Sequence, residues 1–148
     1  MSVARAQSKL VVSRRPLHKT PVAVANACFI GTLLTDVTYW QSAEMMWADF
    51  SAWLLFAGLV VGVLAVLLAL VDLFTGRLSG AARSAWPSLL GNLVVLVISF
   101  FNALVHSRDA WTSVVPTGLT LSVAAVIVLL LLCLLEWSFG RNRVEVVE

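Results

Sequence analysis

The chain has 148 residues, a length that fits one domain. Its hydrophobic fraction is 60% and its charged fraction 12%, against roughly 45–50% and about 25% in soluble domains. The net charge of +2 is too small to indicate a nucleic-acid partner, and a water-soluble fold of this size cannot cover so much apolar surface. The lipid bilayer must therefore solvate part of the chain. The two cysteines, Cys28 and Cys133, lie inside apolar runs and form no metal-binding or redox motif.

Four apolar segments are long enough to cross a bilayer, which requires about 20 mostly apolar residues per helix. A basic tail, residues 1–20, precedes a membrane domain, residues 21–138, and a short tail, residues 139–148, follows it. These features predict an all-α, four-helix transmembrane bundle in which short loops make consecutive helices antiparallel neighbours. The predicted spans are residues 21–40, 51–74, 86–106 and 117–138.

Lysine and arginine lie mostly on one side of this predicted bundle. Five of the ten occur in the first 20 residues, and Arg77, Arg83, Arg141 and Arg143 belong to segments on the same side, which leaves only Arg108 on the other. Because cytoplasmic loops carry the excess of basic residues, we expect both termini to be cytoplasmic. We expect the membrane to be a bacterial cytoplasmic (inner) membrane.

The first predicted helix carries a polar face that includes Asp36 and Tyr39 near its outer end. Asp36 lies four residues from that end, or about 6 Å along a helix. Polar groups that face lipid would lack hydrogen-bond partners. We therefore expect this face to point into the bundle.

The second predicted helix carries a face of small residues, Gly58, Gly62, Ala65 and Ala69, followed by Asp72. Their spacing of four and three residues places them on one side of the helix. Lipid tails are as apolar as leucine, so membrane helices depend on close packing of small residues. We interpret this face as a helix-packing surface, and the alternative is a homo-oligomer formed through helix 2.

The polar residues of all four helices fall into two groups by depth. We expect them to fix the register of the helices by hydrogen bonding, and the alternatives are a proton or ion path and contact with a ligand or cofactor. The outer cluster is Asp36, Tyr39, Asn102 and His106, and the inner cluster is His18, Asp72, Glu136 and Arg77.

Motifs in a fixed order make the chain resemble a bacterial membrane-protein family catalogued as domain of unknown function 2231. The resemblance covers roughly Arg15 to Val146. It rests on Arg15-Pro16-Leu17-His18-Lys19-Thr20-Pro21 before helix 1, Asp36 in helix 1, Ala57-Gly58-Leu59 through Val71-Asp72-Leu73 in helix 2, and Asn92, Asn102 and Arg108 in or after helix 3. The chain departs from the family pattern at Arg15, where the family has histidine, and at Trp86-Pro87-Ser88, which lacks a histidine. The resemblance implies the fold and these candidate positions, but no reaction. Proteins of this kind are sometimes found beside or fused to redox domains, which suggests a haem or electron-transfer partner. The two departures from the family pattern count against haem in this chain.

These observations favour a non-enzymatic accessory or structural membrane module that docks a partner protein and needs no cofactor or metal. One alternative is the membrane subunit of a redox system linked to haem or quinone, for which His18 and His106 are the candidate cofactor-binding residues. Because the topology puts these histidines on opposite sides of the membrane, about 30 Å apart, they do not ligate one haem iron. The other alternative is a small ion, proton or solute transporter, although neither inverted repeats nor broken helices are evident.

Overall fold

The computed structural model describes residues 16–75, 82–108 and 114–144. In these ranges the chain is almost entirely α-helical and contains no strand. All four helices are long and apolar enough to cross a membrane, so the predicted all-α, four-helix transmembrane fold is confirmed. The helices are α1, Lys19–Ser42; α2, Met45–Phe74; α3, Ala82–His106; and α4, Leu119–Val144.

The connection between α1 and α2 is shorter than the sequence suggests, because both helices extend beyond the predicted spans. Only Ala43 and Glu44 separate them. Ala43 has a left-handed backbone (φ 55°), and its N–H donates to Tyr39 O at 2.8 Å, which satisfies a carbonyl group left open at the end of α1. Glu44 is extended (φ −83°, ψ 119°), and α2 begins at the next residue.

An irregular turn, Val114–Gly118, leads into α4. Val115 has an extended backbone (φ −116°, ψ 130°), as steric clash with the ring of the following Pro116 requires. Val114 is fully buried and packs with Tyr39 and Ala48. This contact closes the outer end of the bundle over α1 and α2.

Interhelical contacts define the order of the helices. His18 contacts Asp72 and Thr35 contacts Ser51, so the start of α1 meets the end of α2 and the end of α1 meets the start of α2. Helices α3 and α4 are related in the same way, because Ser88 contacts Glu136 and Asn102 contacts Ser122. Both pairs are therefore antiparallel. α1 packs most extensively on α2, whereas α2 and α3 touch much less and leave a groove above α1.

The centre of the bundle is an apolar layer. Phe29, Leu55, Val95 and Leu129, one from each helix, belong to a single buried cluster. Val95 has no exposed surface and separates the polar residues of α3 into an inner and an outer set. Each polar set is therefore confined to its own half of the bundle.

The glycines of α2 lie at helix contacts within the chain, and Ala65 and Ala69 line the groove between α2 and α3. A Cβ atom added to Gly58 would lie 2.6 Å from Phe29 Cε1, and one added to Gly62 would lie 2.5 Å from Leu96 Cδ1. Ala65 is buried and Ala69 is half-buried. The glycine face of α2 is thus covered by α1 and α3.

Candidate functional site

The outer polar residues form a hydrogen-bond network around Asp36, which is completely buried. His106 Nε2 lies 3.0 Å from Asp36 Oδ1, and Ser122 Oγ donates to Asp36 Oδ2 at 2.5 Å. Asn102 Nδ2 in turn donates to Ser122 Oγ at 2.7 Å. Of the residues that the sequence groups with Asp36, which are Tyr39, Asn102 and His106, His106 contacts Asp36 directly. The network connects α1, α3 and α4.

The hydrogen bonds around His106 determine how many protons the pair holds. His106 Nδ1 lies 3.1 Å from Asn102 O, and because a carbonyl oxygen only accepts, Nδ1 must carry a proton. The contact between His106 Nε2 and Asp36 Oδ1 needs one further proton, on either atom. Besides the proton on Nδ1, one proton is therefore shared between Nε2 and Oδ1, and the pair has no net charge in either arrangement. This neutrality suits a site cut off from water, where an unpaired charge is costly.

Three further polar groups of the outer half, on Tyr39, Asn102 and Ser99, make no hydrogen bond to Asp36. Tyr39 is buried, but its hydroxyl group points to Met45 Sδ at 3.8 Å, so no hydrogen bond connects it to Asp36. Asn102 Oδ1 and Ser99 Oγ are buried and accept or donate no hydrogen bond within the described part of the chain. Two polar atoms thus remain unpaired near the network.

His18, the histidine of the inner cluster, stands just before α1 and contacts Asp72 of α2. His18 Nδ1 lies 2.8 Å from Asp72 Oδ2, and the same oxygen accepts the backbone N–H groups of Leu17 at 2.7 Å and His18 at 3.1 Å. These donors belong to the two residues just before α1, where N–H groups lack helical partners. Asp72 therefore caps α1 from another helix, with a negative charge at the positive end of the helix dipole.

Glu136, another residue of the predicted inner cluster, forms a separate contact. Glu136 accepts a hydrogen bond from Ser88 Oγ at 2.6 Å, which connects α3 to α4. Arg77 lies outside the described residues. Among the described residues of the predicted inner cluster, His18 contacts Asp72, whereas Glu136 contacts Ser88.

A third polar contact lies between the two ends of the bundle. Asn26 Nδ2 donates to Asn92 Oδ1 at 3.0 Å, and Asn92 Nδ2 donates to Ser88 O at 2.8 Å. Both asparagines are half-buried and line the groove between α1, α2 and α3. This contact links α1 directly to α3.

Sequence reasoning missed Ser122 and Asn26. Ser122 lies in an apolar stretch of the sequence. Because a serine in such a stretch often bonds only to its own helix, the residue type gives no sign of an interhelical contact. A signal does exist in its spacing, because Gly118, Ser122 and Ala125 follow one another at steps of four and three. That is the pattern of a packing face, as in α2.

The two histidines are too far apart to hold one iron. His18 stands just before α1 and contacts Asp72, whereas His106 contacts Asp36 near the other end of α1. Residues 18 and 36 are 18 positions apart, or about 27 Å along a helix. Among the described residues, no group of three or more His, Cys, Asp or Glu side chains is placed to hold a metal ion. Since the chain has two histidines, a haem with two histidine ligands would need one of them from another protein.

Four apolar helices that bury their polar side chains against one another define a multi-pass α-helical membrane protein. Residues 14–138 match the family described as predicted membrane protein, domain of unknown function 2231. The chain belongs to this family, as the resemblance of its motifs implies. No curated protein and no solved structure matches the chain.

Proposed function

We propose that this protein is a non-enzymatic accessory module of a bacterial inner membrane, with both termini in the cytoplasm, that docks a partner protein within the bilayer. The observation that carries the proposal is the pairing of the acids in the spans. Asp36 binds His106 and Ser122, Asp72 binds the start of α1, and Glu136 binds Ser88. Groups used in this way position helices, whereas a reaction needs a polar group directed at a substrate.

Within the part of the chain that the structure describes, the few residues outside the helices also support docking within the membrane. In the described ranges, short segments at residues 16–18, 43–44, 75, 107–108 and 114–118 are all that lie outside the four helices. These segments are too short to form a substrate pocket above the bilayer. The helices, by contrast, present large apolar side chains along most of their length.

The geometry gives less support to transport. The apolar layer around Val95 separates the outer network from Asn26 and Asn92, and a proton path needs a continuous series of polar groups or water. A homo-oligomer remains an alternative form of docking. Because the glycine face of α2 is covered within the chain, such an assembly would use a different face of that helix.

Affinity purification from native membranes in mild detergent tests the proposal. We expect one membrane protein to co-purify at a fixed ratio and to reassemble with the purified chain in lipid nanodiscs. Two lipid-facing substitutions, Leu67→Trp on α2 and Leu134→Trp on α4, then locate the docking face, since both residues are more than half exposed. We expect one substitution to abolish reassembly and the other, as its control, to leave it intact. Reassembly unaffected by both, or no partner at a fixed ratio, would argue against docking through the bundle.

A further inference from the structure

The groove between α1, α2 and α3 is apolar except at one point. It encloses about 200 Å³ and opens sideways between α2 and α3, where half-exposed side chains such as Leu70 and Leu93 form its rim. Phe29 and Trp86 add aromatic surface. The polar exception is the pair of Asn26 and Asn92.

Asn26 has an unsatisfied acceptor in this groove. Its Nδ2 donates to Asn92 Oδ1, but within the described ranges no donor approaches Asn26 Oδ1. The residue is half-buried and lines the cavity. A carboxamide oxygen only accepts hydrogen bonds, and leaving it unpaired in an apolar medium is costly. The occupant of the groove should therefore bring a hydrogen-bond donor.

The depth of Asn26 restricts the kind of molecule that can do so. Asn26 lies seven residues after Lys19, the first residue of α1, which is about 10 Å along the helix. The polar groups of a phospholipid lie at the headgroup level, outside the hydrocarbon core, and its acyl chains carry no donor. A matching molecule is apolar overall and carries a hydroxyl group deep into the bilayer.

The size and lining of the groove narrow the class further. A cavity of about 150 Å³ holds benzene, so this one accommodates a single substituted ring, with a tail leaving through the opening between α2 and α3. We propose that the groove binds a lipid-soluble hydroquinone, a hydroxylated ring on an apolar tail, through donation of one ring hydroxyl group to Asn26 Oδ1. This inference is independent of partner docking, and either can fail alone.

Binding is measured with the purified full chain in nanodiscs of synthetic phosphatidylcholine. The probes are the reduced and oxidised forms of a benzoquinone with a ten-carbon tail. The signal is the quenching of Trp86 fluorescence, which is obtained by subtracting the quenching measured for Trp86→Phe. We expect saturable quenching with the reduced form binding more tightly, because only its hydroxyl groups donate to Asn26 Oδ1. Equal affinity of the two forms would overturn the proposal.

Variants identify the groove as the site. Asn26→Leu removes the acceptor, and we expect about tenfold weaker binding, as for loss of one hydrogen bond. Ala69→Leu fills the cavity but keeps both asparagines, and should abolish saturable quenching even if Asn26→Leu fails to fold. Thr120→Val is the control, since Thr120 is exposed on α4 and bonds only to Thr117 O.

Two further results would overturn the proposal. Unchanged quenching in Ala69→Leu would mean that the ring is dissolved in the bilayer and does not occupy the groove. Equal competition by an alkane of the same tail length would mean that the groove holds ordinary acyl chains.

Discussion

At the scale of single residues, the two buried aspartates stabilise different parts of the molecule. Asp36 binds side chains from two other helices, so one carboxylate holds α1, α3 and α4 at a common depth. Asp72 binds the backbone N–H groups of Leu17 and His18 and the imidazole ring of His18, so it fixes where α1 begins. Both are completely buried. We expect the loss of each to have a different consequence.

Replacement of Asp36 by alanine should destabilise the bundle. The substitution leaves His106 Nε2 and Ser122 Oγ without their shared partner. Breaking a buried ion pair costs about 3–5 kcal/mol in soluble proteins. Single polar contacts between membrane helices contribute about 0.6 kcal/mol on average. We expect a loss between these values, about 1–3 kcal/mol in the free energy of unfolding in detergent. Glu44→Ala, at an exposed position in the first connection, is the control.

A double-mutant cycle tests whether the loss comes from the contact itself. We expect Asp36→Ala and His106→Ala to be non-additive, with a coupling energy of about 0.5 kcal/mol or more. Strictly additive effects would mean that the two side chains do not stabilise each other.

Replacement of Asp72 by alanine should act locally. The N–H groups of Leu17 and His18 lose their acceptor, and loss of a helix cap costs about 0.5–2 kcal/mol. Hydrogen exchange followed by mass spectrometry should show faster exchange in residues 16–22 and little change in α3 and α4. Asp49→Ala, an exposed acid on the same helix, is the matched control. Equal protection of residues 16–22 in both variants would contradict the capping role.

At the scale of the helices, the contacts of α2 depend on glycine. Gly62 lies between Ala25 of α1 and Leu96 of α3, so it sets how closely three helices approach. Gly62→Leu should displace the Leu96 side chain, whose Cδ1 lies 2.5 Å from the position of the added Cβ atom, and lower the midpoint of thermal unfolding in detergent. Ala57→Leu makes the same kind of change on a side of α2 that faces lipid and should be nearly neutral. Similar stability of the two variants would show that the Gly62 face does not pack.

The ends of the helices were harder to predict from sequence than their existence. Length and hydropathy suffice to find four spans, because a continuous run of about 20 apolar residues is typical of a membrane-spanning helix. They do not reveal that α2 begins at Met45, since residues 45–50 contain acidic and aromatic side chains that also suit a loop. The left-handed Ala43 ends α1 without a glycine, so no residue type marks the turn.

At the scale of the whole molecule, periodicity and depth placed Asp36 in one group with Tyr39, Asn102 and His106, and the structure pairs Asp36 directly with His106. The same reasoning grouped Glu136 with Asp72, although the structure pairs Glu136 with Ser88. Depth along the membrane normal follows from the sequence, whereas position around the bundle depends on helix rotation. The contact of Asn26 with Asn92 needed the structure for the same reason.

The distribution of charge predicts the orientation of the bundle in the membrane. Nine of the ten lysines and arginines lie on one side of the four spans, so both termini and residues 75–85 should face the cytoplasm. Single cysteines introduced into the full chain, with Cys28 and Cys133 replaced by alanine, report the side by reaction with a membrane-impermeant maleimide. Glu44→Cys and Ser107→Cys should react in intact spheroplasts, whereas Thr75→Cys should react only after lysis. All three positions are exposed, so each controls for the reactivity of the others, and the reverse pattern would mean that the bundle is inserted the other way round.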